Sequence, residues 1–335
     1  MPVSDQSRHT LLRSNVFDQF EELSGSVIGW ELDFCQLSKS DSPFYLEQIA
    51  GSSVFVSRAY LPSSFYQRGS CAPGYRTVSI LAFGSGPSSW RWCYENVTHD
   101  SMLVMPKGGE FESVSGPEFD SIHISLSIPL LERVAETQFG VSLRELMPDD
   151  RCFCPQGGVH LSSLRRILQQ LTTGPQSATA QLKLTPTLEV EMASVVLKCL
   201  DAGRARCPQG PRSKRMHTLA RALDIIAAQD TARLNIGNLV EQLGVSRRTL
   251  ENAFCDALGI SPAAFLKALR LQRLNRALLS ADDESVRISE LARSNGFNHL
   301  GQLASDYRDM FGELPSVTLS RVLSSACGSP GPTAA

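Results

Sequence analysis

No apolar run in this chain approaches the roughly 18 residues that a membrane-crossing helix requires. The longer runs, such as Val78 to Phe83, fall far short of it, and the opening MPVSDQSRHTLLR carries no apolar signal core. A cytoplasmic location is expected. The nine cysteines are odd in number and scattered from Cys35 to Cys327, with no CxxC pair and no Cys/His cluster at zinc spacing. That pattern reads as reduced thiols rather than a disulfide framework. Cys152-Phe153-Cys154, in an expected loop, is either a redox or metal pair or two spectators. Six histidines, at positions 9, 99, 123, 160, 217 and 299, lie too far apart for a metal signature. A nucleophile elbow, a phosphate loop and a dinucleotide fingerprint are also missing. Gly84-Ser85-Gly86 has no third glycine behind it. No enzyme, cofactor or metal is expected, and a barrel-type metal oxygenase is disfavoured.

Charge of one sign is lacking as well: 32 Lys and Arg stand against 34 Asp and Glu, a net of -2 over 335 residues. The two ends differ, however. Residues 203–325 hold 17 basic against 12 acidic side chains, a net of +5, while the remainder holds 15 against 22, a net of -7. The basic end is the candidate polyanion binder.

With 42% hydrophobic residues, the chain can bury two cores. From about Ser26 to Ser127 it reads as strands: Thr77 to Phe83 is apolar and β-rich, and Ile122, Ile124 and Leu126 alternate with Ser121, His123 and Ser125. Turn chemistry breaks the run at Ala72-Pro73-Gly74, Gly84-Ser85-Gly86-Pro87 and Pro106-Lys107-Gly108-Gly109. After Pro129 the period becomes helical, through Leu130, Leu131, Val134 and Phe139, then 161–171 and 188–200. These amphipathic segments either complete the core or mediate a dimer. The expected fold class is α+β. Residues 1–202 form a β-rich, barrel-like sensing domain with accessory helices, 203–215 a polar, basic, breaker-rich linker, 216–325 an all-α domain, and 326–335 a disordered tail.

Within the all-α part, Ile236, Leu239, Val240 and Leu243 make one helical face, Gly244 supplies a sharp turn, and Ser246 is a suitable cap for a helix beginning at Arg247. On that helix Leu250, Ala253, Phe254 and Leu258 should face inward. This leaves Arg247, Arg248, Glu251, Asn252 and Cys255 outward, with the donors and acceptors a major groove requires. The pattern recurs about fifty residues later. Ile288, Leu291 and Ala292 precede Gly296, Asn298 is the expected cap, and Leu300, Leu303, Ala304, Tyr307 and Phe311 form the inward face. His299, Gly301, Gln302, Ser305 and Asp306 are then outward, with Arg308 placed for a phosphate. Between the units, Pro262 opens a helix to about Leu279 with Phe265, Leu266, Leu269 and Leu278 on its apolar side. One rigid helix thus joins two helix-turn-helix units.

These residues resemble the AraC/XylS transcription regulators over roughly Thr218 to Arg321. The resemblance rests on Leu243-Gly244-Val245-Ser246-Arg247-Arg248-Thr249-Leu250, Phe254, Leu258-Gly259-Ile260-Ser261-Pro262 and Leu269-Arg270-Leu271. It continues in Gly296-Phe297, Tyr307, Phe311-Gly312 and Pro315-Ser316. His299-Leu300-Gly301-Gln302 and Pro315-Ser316-Val317-Thr318-Leu319 look most like the branch of ethanolamine-utilisation and benzoate-pathway activators. The resemblance implies an effector-responsive activator of a nearby catabolic operon that binds promoter DNA, recruits RNA polymerase and forms a homodimer. It also implies recognition helices over 246–258 and 298–310, with Arg248, Glu251 and Asn252 as base readers in the first. In the second, Leu300 and Gly301 stand where many relatives carry polar base-contacting residues, which favours backbone docking. Leu314 likewise replaces the usual small hydroxyl residue before Pro315.

Plainer readings stand beside these. Arg247 reaches either a phosphate or a base, and Glu251 either reads a base or pairs with Arg247 or Arg248. Trp30, Phe34, Trp90, Trp92 and Tyr94 either line an effector pocket in the barrel-like domain or fill its core. The alternative to a regulator is a helix-turn-helix-derived interaction module that sequesters another regulator.

Overall fold

The computed structural model describes residues 11–327, apart from 29, 40–41, 83–89, 93–94, 109, 148, 150–151, 155–157, 173–182, 204–213 and 283–284. The chain divides into two compact units. The first comprises Met1–Phe34, Ser42–Pro62 and Gln67–Gly210, and the second Cys35–Asp41, Ser63–Tyr66 and Pro211–Ala335.

Strands dominate the first half: β1 (Leu11–Phe17), β2 (Trp30–Gln36), β3 (Phe44–Ala50), β4 (Val54–Leu61), β5 (Phe65–Cys71) and β6 (Tyr75–Leu81), with α1 (Phe20–Ser26) between β1 and β2. Then come β7 (Trp90–Trp92), β8 (Glu95–Val97), β9 (Met102–Val104), β10 (Glu110–Ser115) and β11 (Phe119–Ser127). Helices follow as α2 (Ile128–Val134), continued by a π-helical turn over Ala135–Phe139, then α3 (Leu143–Leu146), strand β12 (Cys152–Cys154), α4 (Gly158–Leu171) and α5 (Pro186–Gly203).

Two sheets result. The seven-stranded sheet has the order β1-β3-β4-β11-β6-β9-β12 and the five-stranded sheet β2-β5-β10-β7-β8, so the barrel-like domain is a pair of open sheets rather than one closed wall. All neighbours in the larger sheet are antiparallel. Strand alternation divides its faces. Val56, Ile80, Ile122, Ile124 and Leu126 are buried in one core with Leu131 of α2, Leu164 and Leu168 of α4, and Val196 and Leu197 of α5. Farther along that face, Arg58 holds Asp120 through two hydrogen bonds of 3.0 and 2.7 Å. The opposite face carries Ser57, Ser121 and His123 toward the smaller sheet.

Two expectations are corrected in this unit. Strands begin at Leu11, well before Ser26. Cys152-Phe153-Cys154 is not a loop: it extends the sheet edge by pairing with β9, Cys152 opposite Val104 and Cys154 opposite Met102. A three-residue strand leaves no periodicity to detect, and only the neighbouring edge creates it. The Gly84-Ser85-Gly86-Pro87 break lies outside the described residues, as does 204–213 of the expected linker.

The second unit continues with α6 (Lys214–Ala228), α7 (Ile236–Leu243), α8 (Arg247–Leu258), α9 (Pro262–Leu279), α10 (Ile288–Ser294), α11 (Leu300–Phe311) and α12 (Pro315–Cys327). The last helix enters the expected tail, of which 328–335 lie outside the described residues.

Candidate nucleic-acid interface and N-terminal cavity

The first helix pair is set by local chemistry. Asn235 caps α7 by accepting from the Asn238 backbone N–H, and α7 ends at Gly244, whose φ of +65° is the left-handed conformation that releases the chain into a turn. Ser246 then caps α8 by accepting from the Thr249 backbone N–H at 3.1 Å. Leu250, Ala253, Phe254 and Leu258 anchor α8 inward. Arg247, Arg248 and Cys255 are exposed, and Glu251 and Asn252 half-buried, so the five expected outward residues share one accessible face. Arg247 is not free on that face: its Nε donates to Glu251 Oε1 at 3.0 Å, one turn along.

In the second pair, α10 is followed by Gly296 at φ +83°, where an added Cβ would stand 2.6 Å from the carbonyl oxygen of Ala232, in the α6–α7 connection. Close approach and a left-handed backbone both require glycine here. On α11, Leu303 and Tyr307 are buried against Leu271, Leu274 and Leu278 of α9. The Tyr307 hydroxyl donates to Asn275 Oδ1 and lies 3.0 Å from the Thr318 hydroxyl of α12.

Three details of α11 differ from expectation. Its N-cap is His299 rather than Asn298, and the His299 side chain makes no capping hydrogen bond. Leu300, expected inward by its spacing from Leu303 and Tyr307, is 43% exposed. Side chains on a helix lean toward its N-terminus, so a first-turn residue has no preceding turn to lie on. Asp306, expected outward, is held by Lys267 of α9 at 2.9 Å and by Gln302 Nε2 at 3.2 Å. His299, Gly301, Gln302 and Arg308 are exposed and Ser305 is half-buried.

Helix α9 joins the pairs over the expected 18 residues, starting at Pro262 behind a Ser261 cap. Arg270 reaches from it to two carbonyls of the α6–α7 connection, that of Thr231 at 2.8 Å and that of Leu234 at 2.6 Å. This explains the arginine in the Leu269-Arg270-Leu271 motif: it ties the first pair to the joining helix.

In the first unit, a small cavity of about 40 Å³ lies between the two sheets. Trp30, Phe34, Trp90 and Trp92 line it, and Tyr94 lies outside the described residues. Sequence reasoning missed Phe111 of β10, Phe119 and His123 of β11, Ser57 of β4 and Gln67 of β5, which also line it. The alternation of Ser121 and His123 with Ile122 and Ile124 was the available signal, but a polar strand face ordinarily reads as solvent-facing. Trp30 meets Phe111 and His123 edge-on at ring-centre separations of 6.0 and 5.0 Å. The Trp90 N–H donates to the Ser113 hydroxyl at 2.7 Å. The His123 ring sits between the hydroxyls of Ser79, 2.7 Å from Nδ1, and Ser121, 3.0 Å from Nε2, and burial pushes its pKa down to about 4. Among the described residues no group of three His, Cys, Asp or Glu side chains could hold a metal ion, and no helix is long and apolar enough to cross a membrane.

Two helix-turn-helix pairs on one joining helix, the first capped by Asn235 and Ser246, define a class of DNA-binding module. Residues 239–321 match the family described as "Helix-turn-helix domain". The chain is 30% identical over 162 residues to the "Probable thc operon regulatory protein" of Rhodococcus erythropolis, covering 48% of each chain. It is 35% identical over 108 residues to the "XylDLEGF operon transcriptional activator" of Pseudomonas putida, covering 32% of this chain and 33% of that one. Among solved structures, a probable AraC family transcriptional regulator from Rhodopseudomonas palustris is 36% identical, covering 32% of this chain and 97% of that chain with a TM-score of 0.29. The C-terminal unit thus carries a helix-turn-helix domain similar to those of these operon regulators. The chain spans about half or less of the length of these curated relatives.

Proposed function

We propose that the protein is a sequence-specific DNA-binding transcription regulator, an activator of a catabolic operon whose output responds to a small molecule held in the N-terminal unit. The observation that carries the reading is the pair of exposed helix faces, on α8 and α11, at the two ends of one buried joining helix. The named relatives, an operon regulatory protein and an operon activator, support it. Arg248 and Asn252 serve as base readers on α8. The Arg247–Glu251 pair steadies its first turn and meets the backbone. On α11, Leu300 and Gly301 offer an apolar tip and a bare backbone, suited to a thymine methyl, while His299, Gln302, Ser305 and Arg308 complete the contact with bases and phosphates. The active form acts in the cytoplasm, recruits RNA polymerase and works as a homodimer.

Selection of genomic fragments by the full chain, repeated at two salt concentrations to strip nonspecific phosphate binding, tests the proposal. Sharp enrichment beside one or a few operons is expected. Arg248→Ala and Asn252→Ala should each weaken the selected site by on the order of 1 to 3 kcal/mol. A chain that enriches nothing and binds equally well after both substitutions is an interaction module instead.

A further inference from the structure

On the accessible face of α11, the Gln302 carboxamide is held from one side. Its Nε2 donates to Asp306 Oδ1 at 3.2 Å, one turn along the helix, and the same oxygen receives Lys267 Nζ of α9 at 2.9 Å. Exposure falls along this row in the order a relay needs. Gln302 is exposed, whereas Asp306 keeps only 13% of its side chain open and Lys267 is half covered. Asp306 is therefore not a bare anion turned toward DNA: the ammonium from the joining helix offsets a charge that would otherwise repel phosphates.

A carboxamide alone is ambiguous, because a half-turn about its last bond exchanges the NH2 and C=O ends. An ionised carboxylate only accepts, so Asp306 can hold the NH2 end and not the oxygen. The clamp takes one Nε2 hydrogen and fixes which end lies where. Gln302 Oε1 and the second Nε2 hydrogen make no hydrogen bond to another described residue. What remains is an acceptor beside a donor, in a set order. Adenine matches that pair in the major groove, since its N6 amino group donates and its N7 accepts, whereas guanine presents two acceptors, O6 and N7. Guanine would set O6 against Oε1 unless the amide flipped, and a flipped amide would turn Oε1 onto the Asp306 carboxylate. The pair on α8 makes no such choice, because Arg247 gives its Nε to Glu251 and offers donors alone in any orientation.

We infer that Gln302 reads an adenine in the major groove, and that Asp306, secured by Lys267, is the positioning residue that sets this preference. The inference rests on the proposed DNA-binding role and adds a base identity to α11. Asp306 acts through Gln302 and touches no base itself.

The test takes the sequence that the full chain selects and replaces each base pair of its α11 half in turn. Dissociation constants are measured for the native chain, Gln302→Ala, Asp306→Ala, Asp306→Asn and the double variant Gln302→Ala/Asp306→Ala, with a thermal melt of each. For the native chain, one adenine is expected at which guanine weakens binding by at least about tenfold. Gln302 is exposed, so Gln302→Ala should fold normally and lose the preference at that base pair alone. Asp306→Ala should relax the same base pair, and Asp306→Asn, which keeps the shape but both donates and accepts, should relax it too. The double variant should discriminate no less than Gln302→Ala, because the clamp has no route to DNA except the amide. A merely structural Asp306 predicts a lower melting temperature and weaker binding to every sequence alike. Adenine preference that survives in both Asp306 variants overturns the positioning role. A Gln302→Ala chain that keeps every base preference, or a lost preference that was for guanine, overturns the base assignment. A native chain that prefers no sequence removes the regulator reading itself, and this inference with it.

Discussion

His123 shows how one buried side chain acquires a pH signature. Its pKa falls from the ordinary 6.5 to about 4 because burial removes water from the imidazolium. The unfolded chain therefore takes up a proton between pH 6.5 and 4 that the folded chain refuses, so stability is complete above pH 6.5 and declines as pH drops toward 4. At 1.36 kcal/mol for each tenfold change in proton affinity, the full loss is on the order of 3 kcal/mol. Urea unfolding of the native chain and of His123→Gln, at pH 7.5 and pH 4.5, should show a smaller acid loss in the variant. Two glycines form a second comparison. Gly244→Ala meets open space and suffers only its left-handed backbone, about 1 kcal/mol, whereas Gly296→Ala adds a collision with the Ala232 carbonyl. Thermal melting should therefore rank Gly296→Ala as the clearly more destabilised.

At the scale of elements, each half of the second unit has its own fastening. Helix α8 depends on the Ser246 cap. Ser246→Ala should lower unfolding stability by about 1 kcal/mol. Helices α9, α11 and α12 share the buried hydroxyl of Tyr307 between Asn275 and Thr318, and Glu313 continues the chain from Thr318 to Arg321 at 2.7 and 3.1 Å. Removing that hydroxyl in Tyr307→Phe leaves the buried Asn275 Oδ1 without its donor, which should cost about 1 to 3 kcal/mol. Hydrogen exchange would place the added opening in α11 and α12 and leave α7 and α8 protected.

For the molecule as a whole, the proposed DNA-binding role makes the joining helix the element that sets the geometry on DNA. Eighteen residues at about 1.5 Å each span roughly 27 Å, less than the roughly 34 Å between successive major-groove faces. If α8 and α11 both enter the groove, the DNA must bend. Gel mobility of circularly permuted fragments carrying the selected site should show a bend centred between the two half-contacts. Straight DNA would mean that one helix docks shallowly.

How much of this was legible in the sequence depends on how far apart the causes lie along the chain. The double helix-turn-helix was readable almost residue by residue, because caps, glycine turns and 3.6-residue periodicity act within a few positions: Ser246, Gly244, Pro262 and Gly296 stand where local chemistry puts them. Leu300 escaped because its periodicity placed it inward, while only the end of the helix, with no turn beneath it, exposes it. The cavity was half legible. Trp30, Phe34, Trp90 and Trp92 were visible as an aromatic set, but Phe111, Phe119, Ser57, Gln67 and His123 come from strands far apart in sequence. Alternation alone sorts a strand into two faces and does not say that the polar face of β11 is covered by a second sheet. By itself the sequence determined the helical module and the alternation along longer strands such as β11, since both follow from neighbours along the chain. Only the tertiary structure decided that the polar face of β11 is covered by a second sheet while Arg58 and Asp120 pair on the other face, because that depends on which strands pair and which faces meet.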